Sequence, residues 1–368
     1  MHVGLIGVDR YGRNMQRLFL LPATICAIML ALACWTNFTN PPPIDFVSFW
    51  SAARLVLEGN VLAVYDYQPS GFGRLMPIAY PPPFLLWIAP FGLIGFGLAF
   101  LVWTVVTGAL YVAAAGAPRR IAMAAPPALS NGLVGQNGFL TAGIFLLGLR
   151  CLPARPWIAG LILGLLVIKP QLAVLLPIAL IAGRHRTALI GAAVSAAAAL
   201  ALAAMVFGVQ AYAGFAEVLA QYSQLLERGR WPWNELASVF ALVRWFGASG
   251  SVALAIQLCA AIAAAAAVWV AWRQDWEAKV PVVAAATLLV SPYLYTYDAV
   301  LLVAPLAWLA SRKPGWTAAI WCLSLLPLLR ILGYAGPNGI ALAAAVSVIA
   351  LSIDQWRGSA SFPSPVRA

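Results

Sequence analysis

Charge is scarce in this chain. Of its 368 residues only 9% are Asp, Glu, Lys or Arg, 63% are hydrophobic, and mean hydropathy is +0.90. A soluble domain carries roughly a quarter charged residues, so this composition belongs to a chain solvated mostly by lipid. Histidine is nearly missing: His2 stands at the N-terminus and His185 between two arginines. Metal or histidine-base chemistry is therefore not expected, nor is any cofactor. The five cysteines, Cys26, Cys34, Cys151, Cys259 and Cys322, show no paired spacing, which excludes a disulfide framework and a thiolate metal site. No internal repeat is evident. The net charge of +11 comes from basic residues scattered singly or in pairs between apolar spans. Without a basic face interleaved with aromatics there is no footprint for nucleic acid. Orientation in a membrane explains these residues better.

What is present is a series of apolar stretches. Arg10, Arg13 and Arg17 place the N-terminus inside, and a first span follows over Leu18–Thr36. "LALAC" (Leu30–Cys34) resembles a lipoprotein cleavage site, but Leu32 fits it poorly, so the span reads as an uncleaved anchor. The "NFT" sequon at Asn37 hugs the membrane. Residues 38–83 form a first external loop, and Phe84–Gly116, interrupted by Pro90 and glycines, is either a kinked span or one that begins as an interfacial segment. Three stretches then lie between basic clusters and carry polar residues at their middles: Ile121–Leu149 with "GQNG", Trp157–Gly183 with "IKPQ", and Val280–Ala310 with "SPYLYTYD". If basic clusters stay inside, each is a hairpin of two short helices with an outward apex. Arms of roughly 12 residues reach ~18 Å, short of a ~30 Å hydrocarbon core. The apices must then line a water-filled cavity sunk into the outer half.

Further spans are expected at Thr187–Phe207, Ser251–Trp272, Trp316–Leu332 and Ile340–Ile353. The alanine-rich run Ala192–Ala204 suits close helix packing. A second external loop covers 210–250 with "RGRWPWNELASVF". The reading is an all-α polytopic membrane protein of about 12 transmembrane helices, one domain over 1–356, with both termini inside and a disordered tail over 357–368. Asp45, Glu58, Asp66, Glu217, Glu227, Glu235 and Asp298 all fall outside in this threading.

Asp45 follows a triple proline and precedes "FVSFWSAARLVL". An aspartate there caps a helix well. Phe46, Phe49, Trp50, Ala53 and Leu57 share one apolar face, so the helix reads as amphipathic and lying on the outer membrane surface. A helix start is also a rigid place from which to present a carboxylate. Lys169 is one of three lysines and the one inside an apolar span. Such a residue is costly in a membrane and faces a cavity or partner, or else snorkels from a broken helix end. An ammonium is a point-charge ligand for phosphate. Gln136 and Asn137 can hydrogen-bond sugar or phosphate oxygens, or cap the helices they separate. Tyr293, Tyr295 and Tyr297 can form an interfacial belt or a carbohydrate surface beside Asp298.

In order, "IDFVSFWSAARLVLEGNVLAVYDY", "YPPP", "GQNG", "GLLVIKPQ" and "SPYLYTYD" resemble the motifs of glycosyltransferase family 87, polyprenyl-phosphate-mannose-dependent mannosyltransferases of the GT-C superfamily. The resemblance implies a bacterial inner-membrane enzyme of the cell envelope with an extracytoplasmic site and a GT-C type fold. It implies a polyprenyl-phosphate-linked sugar donor, a glycan or glycolipid acceptor, and inverting transfer of a hexose. Asp45 would be the general base. Lys169 and Arg54 would hold the donor phosphate, with Tyr80, Gln136, Asn137, Gln171, Tyr293, Tyr295 and Asp298 around the donor. Asp66 and Asp298 are rival acids. A flippase or transporter of a lipid-linked sugar is the alternative from another class, and a polyprenyl-diphosphate-dependent ligase is a third.

Overall fold

The computed structural model describes residues 45–66, 68–70, 73–75, 78–116, 119–229, 231 and 233–360, with single helical positions at 24, 28 and 31. The first span, the N-terminal arginines and residues 361–368 thus lie almost wholly outside the described residues. The first loop holds α1 (Asp45–Leu57) and a short antiparallel hairpin, β1 (Gln68–Ser70) with β2 (Gly73–Leu75). That hairpin departs from the all-α expectation, in a polar loop where backbone groups outside helices pair with each other.

The stretch expected either to kink or to begin as an interfacial segment is two helices. α2 (Pro82–Ile88) continues as a 3₁₀ turn to Leu93, the chain turns extended at Ile94, and α3 (Phe96–Ala115) begins. Proline starts α2 because its missing N–H is free of cost in a first turn. The three hairpins are broken where their polar motifs stand. The first is α4 (Arg119–Ala124), α5 (Pro126–Val134) and α6 (Gly138–Cys151). The second is α7 (Pro156–Gly164), two 3₁₀ turns flanking Lys169, and α8 (Leu175–Ala182). The third is α13 (Lys279–Thr287), an irregular apex, a 3₁₀ turn over Thr296–Leu302, and α14 (Val303–Leu309).

Between the second and third hairpins run α9 (Arg186–Phe207), α10 (Gln210–Glu227), α11 (Val239–Trp245) and α12 (Gly250–Arg273). The stretch expected as a second external loop is thus largely helical. The chain ends in α15 (Pro314–Leu325) and α16, which runs over Ile340–Ala360, past the point where a disordered tail was expected.

Among the described residues three helices are long and apolar enough to cross a membrane: Phe96–Ala115, Arg186–Phe207 and Gly250–Arg273. Their outer faces are bare hydrocarbon, with Ile190, Val194 and Met205 on α9 and Leu254, Leu258 and Ile262 on α12 all exposed. A face of that kind needs lipid against it. The twelve-span count is not reproduced among the described residues, because the hairpin arms and the terminal helices are shorter pieces.

Helix α9 turns small residues inward, burying Ala188, Gly191 and Ala203. It lies so close to α7 that a Cβ on Gly160 would stand 2.1 Å from the Ala188 carbonyl oxygen, and one on Gly164 2.3 Å from that of Ala192. With lipid competing equally for apolar surface, such close approach is what holds helices together. Gly160→Ala is therefore expected to cost about 1–3 kcal/mol through forced separation. The check is the melting temperature in detergent, and an unchanged value would refute this account of the α7–α9 contact.

The core nearest the motifs is aromatic. Phe46 and Phe49 of α1 pack on Phe84, Phe96, Phe100 and Trp103, with ring centroids 5.0 Å apart for Phe49–Phe84 and 5.6 Å for Phe46–Phe100. This corrects the surface-helix expectation. The apolar face of α1 is covered by α2 and α3 rather than by headgroups, and Phe46, Phe49 and Ala53 are all buried, while Leu57 stays exposed.

Candidate active site

The docking of α1 carries Asp45 to the first apex. Asp45 opens the helix, where the helix dipole favours a negative charge. Beneath it, Trp103 Nε1 donates to the Gly135 carbonyl at 3.0 Å, tying the aromatic core to "GQNG". Gly135 has φ +69°, and a Cβ there would meet Phe46 and Phe100 at 2.7 Å. Glycine is required on both counts. The turn then presents Gln136, whose Nε2 donates to Asp45 Oδ2 at 3.0 Å. Gln136 Oε1 accepts from the Tyr80 hydroxyl at 3.2 Å and from the Asn137 backbone N–H at 3.3 Å.

Gly138 brings the first and third apices together. A Cβ on it would fall 2.2 Å from the Tyr297 carbonyl oxygen. Its own N–H is taken by Asn131 Oδ1 at 2.8 Å. The second apex closes the set: Lys169 Nζ donates to Asn137 Oδ1 at 3.1 Å and to Asp298 Oδ1 at 2.5 Å. Lys169 and Asp298 expose 2% and 0% of their side chains. The ammonium also stands over the rings of Tyr297, at 4.5 Å, and Tyr80, at 5.4 Å. Asp298 Oδ2 accepts from the Tyr295 N–H at 3.2 Å, so the acid also organises its own turn.

An ammonium can only donate, so the Asn137 atom facing it is the carbonyl oxygen. The Asn137 amide nitrogen is then left buried, with no hydrogen-bond partner among the described residues. A buried N–H₂ left so is costly unless a ligand or water oxygen meets it.

The 210–250 segment folds over the third apex. Leu236 bridges Tyr295, and the Ala237 N–H donates to the Leu294 carbonyl at 2.6 Å. Tyr297 stacks on Tyr295 at 5.3 Å, and Trp231 meets Tyr295 edge-on at 6.3 Å. Two amides brace the irregular apex, one of them by satisfying broken backbone as apolar surroundings demand. Gln257 donates to the Leu289 and Val290 carbonyls at 2.7 and 3.1 Å, and Asn338 donates to Thr296 Oγ1 at 2.9 Å.

The structure thus brings Asp45, Tyr80, Gln136, Asn137, Lys169, Tyr295 and Asp298 into one connected network. Arg54 is not part of it. Nine residues at about 100° each put it half a turn around α1 from Asp45, where it is exposed and pairs with Glu58 at 3.8 Å. Tyr293 is 42% exposed, and its hydroxyl lies 3.3 Å from Ser223 Oγ on α10. Gln171 is half-buried in the turn after Lys169, with no described hydrogen bond to the others.

Asp298 and Asp45 differ sharply. Asp298 is sealed and neutralised by Lys169, whereas Asp45 is exposed on one side. Protein still crowds the rest of its carboxyl, and this burial raises the Asp45 pKa above the usual carboxylate range. The Gln136 hydrogen bond opposes the rise in part, and the nearby Glu235 charge adds to it. Glu235 was not singled out from sequence; it pairs with Arg330 at 3.3 Å. The available signal was Arg330 itself, a further ionisable group within an apolar stretch in addition to Lys169 and Asp298.

A model of glycosyltransferase family 87 matches residues 79–292, more than half of the chain. The chain belongs to glycosyltransferase family 87. The matched region holds Tyr80, "GQNG", "IKPQ" and the start of "SPYLYTYD". Asp45 and Asp298 lie outside it, so their places in the family 87 network rest on geometry. No curated protein and no solved structure matches the chain. Membership makes the protein a glycosyltransferase, with a sugar donor and an acceptor as substrates. Among the described residues no group of three His, Cys, Asp or Glu stands close enough to hold a metal ion.

Proposed function

We propose that this glycosyltransferase moves a hexose, mannose by default, from a polyprenyl-phosphate donor to an extracytoplasmic glycan or glycolipid, with inversion and with Asp45 as general base. The observation that carries the reading is the one exposed carboxylate held against a buried polar network built from all three apices. A sugar on a lipid phosphate is already activated, so two tasks remain for the protein. A base must take the acceptor hydroxyl proton, and donors must meet the charge on the departing phosphate.

Asp45 suits the first task. Burial raises its pKa, which makes the ionised carboxylate a stronger base than an ordinary one. As it takes the proton, the acceptor oxygen forms its bond to C1 of the sugar. The bond from C1 to the phosphate oxygen breaks, and the polyprenyl phosphate leaves with that electron pair. For the second task we assign Lys169 and Asn137 as a unit. The ammonium is already neutralised by Asp298 and holds the Asn137 carbonyl, leaving the amide N–H₂ for a phosphate or sugar oxygen. Tyr80, Tyr295 and Tyr297 wall the sugar. The site faces the outer side of a bacterial inner membrane in this reading, with both termini inside.

The test is transfer by the purified protein in lipid, with radiolabelled polyprenyl-phosphate mannose and a membrane extract as acceptor pool. Label is expected in a new, slower-migrating product. Label that crosses the bilayer without any new product would make the protein a carrier instead.

A further inference from the structure

We infer that Gln136 is a positioning residue for the base: it holds one oxygen of the Asp45 carboxylate and leaves the other for the acceptor hydroxyl. This rests on Asp45 acting as the base. The amide's orientation follows from the donors around it. The Asn137 backbone N–H can only donate, and it lies 3.3 Å from Gln136 Oε1. The Tyr80 hydroxyl reaches the same oxygen at 3.2 Å. The nitrogen must therefore face Asp45 Oδ2, at 3.0 Å. A flipped amide would set oxygen against carboxylate and N–H₂ against N–H, two repulsive contacts in place of attractive ones. The backbone offers no slack either, because Gly135 is left-handed, packed on two phenylalanines and bonded by Trp103.

Among the described residues, the hydrogen bond on the Asp45 carboxylate comes from Gln136 alone. The charged and titratable groups around it are Glu235, which is paired with Arg330, the hydroxyls of Tyr80, Tyr295 and Tyr297, and the neutralised Lys169–Asp298 pair. On its own helix, Arg54 and Glu58 pair with each other. A hydrogen bond to a charged group is strong enough to set both the rotamer and the protonation of a carboxylate.

The experiment is kcat/KM against pH for wild type, Gln136→Leu and Gln136→Glu in lipid, with labelled polyprenyl-phosphate mannose as the probe. Removing the donor disfavours the ionised carboxylate, so the acid limb of Gln136→Leu should move up by about one pH unit. Gln136→Glu keeps the shape and sets two carboxylates against each other. The pair should then titrate in two steps, with the limb displaced further upward. A purely structural role for Gln136 would lower kcat in both variants without moving the limb. That result overturns the inference, even if Gln136→Leu folds poorly and Gln136→Glu alone can be read. Asp45→Asn, run beside them, separates the two failures. Retained turnover there removes the base reading itself, whereas a dead Asp45→Asn with unmoved limbs removes the role of Gln136 only.

Discussion

Asp45→Asn should fold, bind the lipid-linked donor as wild type does, and lose transfer by about 10²–10⁴-fold, the usual contribution of a positioned general base. The substitution is nearly isosteric, and the helix that carries it is held by Phe46, Phe49 and Ala53, which do not change. Gln136 can still donate to the asparagine carbonyl oxygen, so the local geometry survives. What disappears is the ability to accept the acceptor's proton. Single-turnover transfer and donor binding measured on the same preparation check this. Turnover within threefold of wild type would remove Asp45 as base and turn attention to Asp66, since Asp298 is sealed. In wild type, the activity should fall on acidification at a pH above that of an ordinary carboxylate. The sign follows from the group: the base works when ionised, and burial first, then Glu235, make ionisation harder.

Lys169→Met is expected to have the largest effect on stability. It strands the Asp298 carboxylate, whose side chain is wholly buried. Breaking one partner of a buried pair costs about 3–5 kcal/mol, because an uncompensated charge remains in a medium that solvates it poorly. The yield of folded protein and its melting temperature should drop together. The double variant Lys169→Met with Asp298→Asn removes both charges and keeps an acceptor for the Tyr295 N–H, so it should regain most of the loss. Donor affinity then reports on catalysis separately from folding. Without the ammonium, Asn137 is free to turn, and donor binding should weaken about tenfold, roughly 1.4 kcal/mol. A double variant that folds and binds donor like wild type would confine Lys169 to bracing the fold.

Both expectations turn on the buried pair and the exposed carboxylate being different things, and sequence alone did not distinguish them. Asp45, Asp66 and Asp298 were three acids on one predicted side. A sequence ranks them by neighbours along the chain, whereas their roles depend on partners 91 residues away for Asp45 and 129 for Asp298. Arg54 shows the converse. It lies close to Asp45 in the chain, which made it a plausible phosphate ligand, and helix periodicity alone was enough to put it on the opposite face.

By itself the sequence determined the class of the protein, the broken hairpins and the motif residues. Lipid solvation writes itself into composition, and a helix too short to span, with a polar middle, is a local pattern legible without tertiary contacts. It also determined the apex glycines, though not their reason, which is the approach of the Tyr297 carbonyl to Gly138 and of Phe46 and Phe100 to Gly135. Only the tertiary structure decided that α1 docks on protein instead of lying on lipid. An apolar helix face looks the same in sequence whether aromatic side chains or acyl chains cover it. Only the tertiary structure, likewise, decided that Lys169 is neutralised, that Gln136 serves the carboxylate, and that one amide of "GQNG" is left unsatisfied. Hydrogen bonds between segments far apart in the chain are settled by distance and direction in space, and no spacing along the chain encodes either.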